Sequence, residues 1–225
     1  MRNKIVSLLV ALAVVFSTMA FTREQSNVIT LTKANHTSLV GEVNETSIQT
    51  IISSMEQRNK SKEFYLYISS PGGDILAGMR MMDYLKTQHN VTCIVSRAMS
   101  AAFAIMQTCE KRVITPVGLV MQHQGWTSIQ GNEDQLKSAL NVLHALMIAM
   151  NRVQAERIGI TVEEFARRVK NEWWIAGGKE VVEAKVADSI GSAVCSAELN
   201  KKHKELVPGL FGDVEIEVTD CPLTH

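Results

Sequence analysis

The chain has 225 residues, of which 46% are hydrophobic, and its 23 basic and 23 acidic side chains leave no formal net charge. This length suits one core-forming domain with appendages. The balanced charge and the lack of a basic block argue against nucleic acid as a main partner.

The N-terminus has the pattern of a secretory signal peptide. A short basic region precedes an apolar run over residues 5–16, and Thr18 and Ala20 are small residues at the positions that signal cleavage requires. We therefore expect residues 1–20 to direct export, either to a periplasm or out of the cell. An uncleaved membrane anchor is the alternative, because residues 5–21 are barely long enough to span a bilayer.

Beyond this signal, short runs of β-branched and aromatic residues alternate with stretches of helical spacing. The predicted strands cover residues 28–32, 38–43, 63–69, 91–96, 112–115 and 119–122. The predicted helices cover residues 44–57, 75–87, 101–109, 134–158 and 181–187, with a further helix starting at Thr161. Pro71 and Pro116 are expected to end the strands that precede them. This alternation predicts an α/β fold with a largely parallel sheet and right-handed crossovers.

The long helix over residues 134–158 is apolar around much of its circumference. Leu136 and Leu140 lie on one face, while Val142 and Ile148 add apolar side chains elsewhere. Such a helix has to be covered on several sides, often by another subunit. We therefore predict a homo-oligomer that forms through this helix.

Four cysteines become relevant in an exported chain, because oxidising compartments permit disulfides. Cys93 lies early in a predicted strand and Cys109 ends the helix that returns beside that strand, so these two can approach each other. Cys195 and Cys221 would then hold the C-terminal tail, residues 195–225. Four cysteines allow three pairings, and free buried thiols are the alternative for the first pair.

Ser100 stands between a predicted buried strand and an alanine-rich helix in the stretch "RAMSAAFAIM". A serine at this point is a good N-cap, because its hydroxyl can accept a bond from a free backbone N–H. It is also the residue that strand-to-helix turns use to expose a nucleophilic oxygen at the positive end of a helix dipole. Taken alone, capping is the simpler interpretation.

Three further sites have a chemical interpretation as well as a structural one. Gly72 and Gly73 leave backbone N–H groups unobstructed, as an oxyanion-binding loop needs, although a simple turn also explains them. His123 ends an apolar strand and is either a general base or a structural histidine. Glu172 precedes the pair Trp173-Trp174, which is expected to be buried, and a solvated helix end is its alternative.

Together these motifs resemble the proteolytic subunit of the Clp protease (ClpP), within the larger crotonase-like fold group. The resemblance covers about residues 39–190. "YLYISSPGGDILAGM" resembles the family's strand, oxyanion loop and next helix, and the run from Ser100 to "VMQHQ" resembles its nucleophile helix and histidine strand. Gln130-Gly131 and the long helix resemble the handle by which two rings of subunits meet. The resemblance implies the repeated β-β-α superhelix of the ClpP/crotonase-like fold, with a protruding handle helix, over residues 28–194.

The resemblance also implies a serine endopeptidase that hydrolyses peptides or unfolded proteins. Ser100 would attack the peptide carbonyl, His123 would take its proton, and Glu172, at the position of the family's aspartate, would orient the imidazole. The backbone N–H groups of Gly73 and Ala101 would bind the oxyanion. We expect no cofactor, no metal ion and no nucleic-acid partner.

The chain departs from the family pattern at two positions, and Met99 offers a shifted alignment. Glu172 is one methylene longer than aspartate, and Asn171 or another carboxylate is the alternative third group. Ala102 stands where a glycine is common. A shifted alignment would place Met99 at the nucleophile position and make the protein inactive, but it breaks the spacing to His123.

The segment before Leu39 is too short, once a signal is removed, for the family's full axial loops, and an exported protein would lack ATP. We therefore predict a peptidase without a Clp-type ATPase partner. One alternative is a catalytically inactive, ring-forming or binding protein on the same scaffold. Another is an acyl-CoA hydratase or isomerase of the wider fold group, although no basic patch for CoA phosphates lies near Gly72 and Gly73.

Overall fold

The computed structural model describes residues 27–209 and 212–224. The predicted signal, residues 1–20, lies outside these ranges. The strands are β1 (Asn27–Leu31), β2 (His36–Val43), β3 (Phe64–Gly73), β4 (Val91–Met99), β5 (Lys111–His123), β6 (Glu172–Ala176), β7 (Ser189–Cys195), β8 (His203–Gly209) and β9 (Gly212–Val218). The helices are α1 (Glu45–Glu56), α2 (Ile75–Lys86), α3 (Ala101–Met106), α4 (Glu133–Ile158), α5 (Val162–Arg168) and α6 (Gly178–Glu183), followed by a 3-10 turn (Pro222–Thr224).

Seven strands form one twisted sheet in the order β1-β7-β5-β4-β3-β2, with β6 attached to β5. Neighbours along this path are parallel, and only β6 runs antiparallel to its partner. Helices α1, α2 and α3 connect the successive strands from β2 to β5, so the chain repeats a strand-and-helix unit as parallel pairing requires. The mixed α/β fold with a largely parallel sheet, predicted from the alternation of elements, is confirmed.

The main core lies between this sheet and its helices. Helix α1 starts at a capping box made by Asn44 and Ser47, and it buries Ile48, Ile51 and Met55 at helical spacing. Every residue of α3 is buried. This burial explains the alanine-rich sequence of α3, since small side chains let the helix approach the strands closely.

A second, smaller core covers the other face of the sheet. Tyr67 and Ile94 point to that face, and Leu31 and Leu199 are buried with them. The tail crosses this face, and the disulfide Cys195–Cys221 fixes it there. A second disulfide, Cys93–Cys109, lies in the main core with its Cα atoms 5.9 Å apart. All four cysteines are therefore paired, and the alternative of free buried thiols is wrong.

The strands that carry the candidate site are longer than the sequence predicts. β3 continues through Pro71 to Gly73, which pairs with Val43. β5 runs through Pro116 as a single strand. A proline fits there because the β4–β5 register shifts at this point, and an interrupted ladder does not need the missing N–H. The predictions that these prolines end their strands are wrong.

Other elements differ from the predictions in type or extent. Glu172 begins strand β6 and does not lie at a helix end. β6, β7 and the hairpin of β8 and β9 were not predicted. Helix α6 lies three to four residues earlier than expected, and α3 ends at Met106, three residues before the expected end. These differences concern short segments, whose hydrophobic pattern is the least distinctive.

The long helix α4 exposes apolar side chains to solvent when the chain is considered alone. Leu140, Val142 and Ile148 are 56%, 58% and 41% exposed. Across residues 27–209 and 212–224, we find no helix whose length and apolar character would let it cross a bilayer.

Candidate active site

The turn between β4 and α3 presents the hydroxyl of Ser100. Its backbone has φ 53° and ψ −121°, a strained conformation for a residue other than glycine. Its N–H donates to the carbonyl of Met121 at 2.9 Å, which fixes the turn to β5. Ser100 occupies the N-cap position of α3, but its side chain makes no capping hydrogen bond. The interpretation of Ser100 as a hydrogen-bonding cap is therefore wrong, and its hydroxyl is directed elsewhere.

The Ser100 hydroxyl meets the imidazole of His123 at the end of β5. Ser100 Oγ and His123 Nε2 are 2.8 Å apart. Residues 99 and 121 are paired in the β4–β5 ladder, so the two strands bring their next few residues to one edge of the sheet. Met99 is the last residue of β4, and it is Ser100 that contacts the histidine.

Two buried glutamines hold the end of β5, and sequence reasoning missed both. The backbone N–H of His123 donates to Gln122 Oε1 at 3.0 Å. Gln122 Nε2 in turn donates to Gln154 Oε1, and Gln154 Nε2 donates to the carbonyl of Met150 on α4. Both glutamine residues are less than 5% exposed. Gln122 is a polar residue in an otherwise apolar strand, and this was the one feature of the sequence that could have indicated the bond. Its partner Gln154 lies 32 residues away, so the sequence did not indicate the pair.

The glycine loop lies directly against the serine turn. A Cβ atom on Gly72 would be 2.5 Å from the Met99 carbonyl oxygen and 2.7 Å from Ser100 Cβ. Gly72 has φ +92°, where glycine is favoured, and its N–H donates to Ser70 Oγ at 3.1 Å. A Cβ on Gly73 would be 2.3 Å from the carbonyl oxygen of Val43. A side chain at Gly72 would therefore displace the backbone beside Ser100, whereas one at Gly73 would displace the backbone of β2.

A pocket of about 280 Å³ opens over these groups. Ser100, His123, Gly73 and Ala101 all line it. Its other walls are largely apolar and include Ile75, Met121, Trp126, Met147 and Met150. The arrangement can therefore place an extended substrate with an apolar side chain against a hydroxyl, an imidazole and the glycine loop.

Glu172 lies opposite His123 in the antiparallel pairing of β5 and β6. Directly paired residues in such a ladder place their side chains on the same face, so the carboxylate and the imidazole are neighbours. The carboxylate Oε2 accepts a hydrogen bond from Trp174 Nε1 at 2.8 Å. Within the described part of the chain, no hydrogen bond joins Glu172 to His123. The structure thus brings two of the three predicted groups into contact and the third to the adjacent position. Asn171 lies just before the strand.

The two tryptophans that follow Glu172 are not equally buried. The Trp173 ring centroid lies 6.2 Å from that of Phe103 and 6.1 Å from that of Phe165, and the Arg168 guanidinium stacks over it at 4.9 Å. Trp174 is 48% exposed. The expectation of a buried aromatic pair is therefore wrong for its second member, because successive residues of a strand point to opposite faces.

Comparisons with known proteins all match the chain to Clp proteases. A family model described as Clp protease matches residues 20–193. The chain is 28% identical over 144 residues to ATP-dependent Clp protease proteolytic subunit 1 of Borreliella burgdorferi, an alignment that covers 61% of this chain and 74% of the relative. The ATP-dependent Clp protease proteolytic subunits of Borrelia garinii subsp. bavariensis and Borreliella afzelii are likewise 28% identical over 144 residues, with 74% and 73% of those chains covered.

Proposed function

Because the chain belongs to the Clp protease family, we propose that it is a serine endopeptidase acting through Ser100, His123 and Glu172. The observation that carries this proposal is the 2.8 Å contact between Ser100 Oγ and His123 Nε2 at the floor of a pocket. A hydroxyl is a weak nucleophile by itself, and an adjacent imidazole is the usual means of activating one.

In the proposed reaction, Ser100 Oγ attacks the carbonyl carbon of the scissile bond while His123 Nε2 takes the hydroxyl proton. The tetrahedral intermediate collapses when the imidazolium gives that proton to the leaving amine, which leaves an acyl ester on Ser100. Water, deprotonated by the same imidazole, then releases the acid and restores the hydroxyl. Acylation and hydrolysis of the ester together consume one water molecule and return Ser100 and His123 to their starting states.

The glycine loop and the start of α3 would stabilise the oxyanion. The backbone N–H groups of Gly73 and Ala101 belong to residues that line the pocket together with Ser100. Loss of one such donor costs about 10²–10³ in kcat in other hydrolases. The strained Ser100 backbone is consistent with a residue held for function, since such strain persists only where the surroundings impose it.

The pocket walls favour peptides with an apolar side chain next to the cleaved bond. Ile75, Met147 and Met150 supply flexible or branched apolar surface, and methionine adapts to ligands of different shape. Peptides and unfolded proteins expose such side chains, whereas folded proteins bury them.

We also propose that the protein is exported, forms a homo-oligomer through α4 and acts without a Clp-type ATPase. The signal pattern in residues 1–20 supports export, and an exported protein has no ATP supply. The exposed Leu140, Val142 and Ile148 support a subunit contact along α4. The alternative, an inactive scaffold of the same fold, is disfavoured by the contact of Ser100 with His123.

The Ser100→Ala variant tests the proposal. We expect cleavage of a fluorogenic peptide, with an apolar residue before the reporter, to fall by about 10⁴–10⁶-fold, together with complete loss of labelling by a fluorophosphonate probe. Ser53→Ala on the exposed surface of α1 is the matched control and should leave both unchanged. If Ser100→Ala hydrolyses the peptide as fast as the parent, the nucleophile is misassigned. If the parent itself neither hydrolyses the peptide nor reacts with the probe, the scaffold alternative stands.

A further inference from the structure

We propose that Trp174 is a positioning residue: its indole N–H holds the Glu172 carboxylate on the face it shares with His123. This inference rests on the proposed peptidase function. It assigns a role to a residue outside the three reacting groups and explains how a glutamate can take the place of a shorter acid.

The strand pairing places the three side chains together. Glu172 and Trp174 are two residues apart in β6, so both point to the same face of the sheet. In the β5–β6 ladder, His123 is paired with Glu172 and Met121 with Trp174. The imidazole, the carboxylate and the indole therefore occupy one surface, with the carboxylate beside both rings.

The hydrogen bond engages only one of the two carboxylate oxygens. Trp174 Nε1 donates to Glu172 Oε2 at 2.8 Å, a distance expected for a charge-assisted bond. An ionised carboxylate accepts at both oxygens, so Oε1 stays available for the ring N–H of His123. Glutamate has one more rotatable bond than aspartate, and holding it costs side-chain entropy. The indole offsets this cost by restricting the carboxylate before the reaction begins.

The surroundings of the two tryptophans separate this role from simple packing. Trp173 sits among Phe103, Phe165 and Arg168, so its ring contributes to the core. Trp174 is 48% exposed, and in the described part of the chain the one hydrogen bond of its side chain is to Glu172. A half-exposed indole that bonds a carboxylate beside the candidate base is placed to act through that carboxylate.

The first test is Trp174→Phe, which keeps an aromatic ring and removes only the N–H donor. We expect kcat to fall about tenfold with KM unchanged, as for the loss of one hydrogen bond. The acid limb of the kcat/KM profile should also move to lower pH, since a carboxylate that turns away stabilises the charged imidazole less. Trp173→Phe is the matched control: it should lower thermal stability without moving the acid limb.

A double-mutant cycle separates positioning from structure. In the Glu172→Gln background, Trp174→Phe should have less than about a twofold further effect, because there is no carboxylate left to hold. In the Glu172→Asp background its effect should likewise shrink, because the shorter side chain does not reach the indole. An equal loss in all backgrounds, or an acid limb that stays in place, would overturn the inference.

The Ser100→Ala variant distinguishes the two levels of failure. If Ser100→Ala abolishes hydrolysis while Trp174→Phe leaves kcat and the pH profile as they were, only the role of Trp174 is wrong. If Ser100→Ala retains hydrolysis, the proposed function fails and the role of Trp174 fails with it.

Discussion

In β3, Leu66 and Ile68 are fully buried, whereas in the C-terminal hairpin Leu206, Val214 and Ile216 are 69%, 51% and 38% exposed. β3 lies between two strands and beneath helices, while β8 pairs only with β9. The hairpin is supported by salt bridges across its strands and by a disulfide near its base. An isolated two-stranded hairpin is only marginally stable in water. The domain is therefore stabilised mainly by burial of apolar side chains, whereas the tail depends on a covalent link.

The largest difference in activity and stability between the domain and the hairpin is expected when a glycine in each is replaced by alanine. Gly72 and Gly212 both have positive φ, at +92° and +125°. A Cβ at Gly72 would collide with the serine turn, whereas a Cβ at Gly212 would meet nothing within 4 Å. We expect Gly72→Ala to lower peptidase activity by about 10²-fold or more and to cost about 3 kcal/mol of stability. Gly212→Ala should cost about 1–2 kcal/mol, confined to the hairpin, and leave activity intact.

Peptide hydrolysis and urea unfolding of the two variants measure this contrast. Similar losses of activity for Gly72→Ala and Gly212→Ala would mean that the tail contributes to the site, and the division between the regions would not hold.

Removing each disulfide should affect different parts of the molecule. Cys93–Cys109 joins β4 to the segment after α3 in the main core. We expect the Cys93→Ala/Cys109→Ala variant to lose about 3 kcal/mol of unfolding free energy, as a loop of this length predicts. Cys195→Ala/Cys221→Ala should instead free the tail, which raises proteolytic cleavage after Cys195 while peptide hydrolysis persists.

Limited proteolysis and chemical denaturation, applied to both variants, check this prediction. Equal loss of domain stability in the two variants would show that the tail and the domain unfold as one unit.

A smaller difference in stability is expected from two aspartates that form salt bridges with basic side chains, Asp188 in the domain and Asp220 in the tail. Burial alone would raise the pKa of Asp188, but hydrogen bonds and charge from Arg112, with the charge of Arg157, lower it overall. The hydrogen bond and charge of Lys33 lower the pKa of Asp220 at the surface. A lowered folded-state pKa stabilises the protein above the unfolded value of 3.8, and this stabilisation is lost as the pH falls through the folded value.

Asp188→Asn should therefore destabilise the domain at about pH 7 by about 1–2 kcal/mol, less than for a fully buried pair because the Asp188 side chain is 39% exposed. It should also weaken the loss of stability that occurs as the pH falls through the lowered pKa of Asp188. Asp220→Asn should change neither, since exposed pairs contribute little. Urea unfolding at several pH values measures both, and an unchanged acid dependence in Asp188→Asn would contradict the assignment.

Local patterns in the sequence were sufficient to predict much of the fold. Helical spacing located α1, α2 and α4 to within one residue at either end, and Thr161 begins α5 as a side-chain cap. Strand extent was harder, because pairing can carry a strand through a proline when the register shifts beside it. β6 is only five residues long, and its alternate residues Trp173 and Ile175 are only partly buried against the core. Such a segment becomes a strand only because β5 offers it an edge.

For the candidate site, the sequence identified which residues carry suitable chemistry but could not show how they meet. Ser100 and His123 were named from motif and chain order, and their contact depends on the parallel pairing of β4 with β5. The Gln122–Gln154 bond joins residues from a strand and a distant helix, so no local pattern could indicate it.

By itself, the sequence determined the type and order of the main elements, the glycine-serine-histidine series and the family to which the chain belongs. The elements follow from side-chain periodicity and local backbone preference, which act over a few residues, whereas the family follows from the resemblance of the motifs. The tertiary structure alone decided that the Ser100 hydroxyl turns from the helix to the imidazole, that Trp174 binds Glu172, and that the tail covers the second face of the sheet. Each of these depends on strand register and long-range packing, where a shift of one residue would turn every side chain to the opposite face.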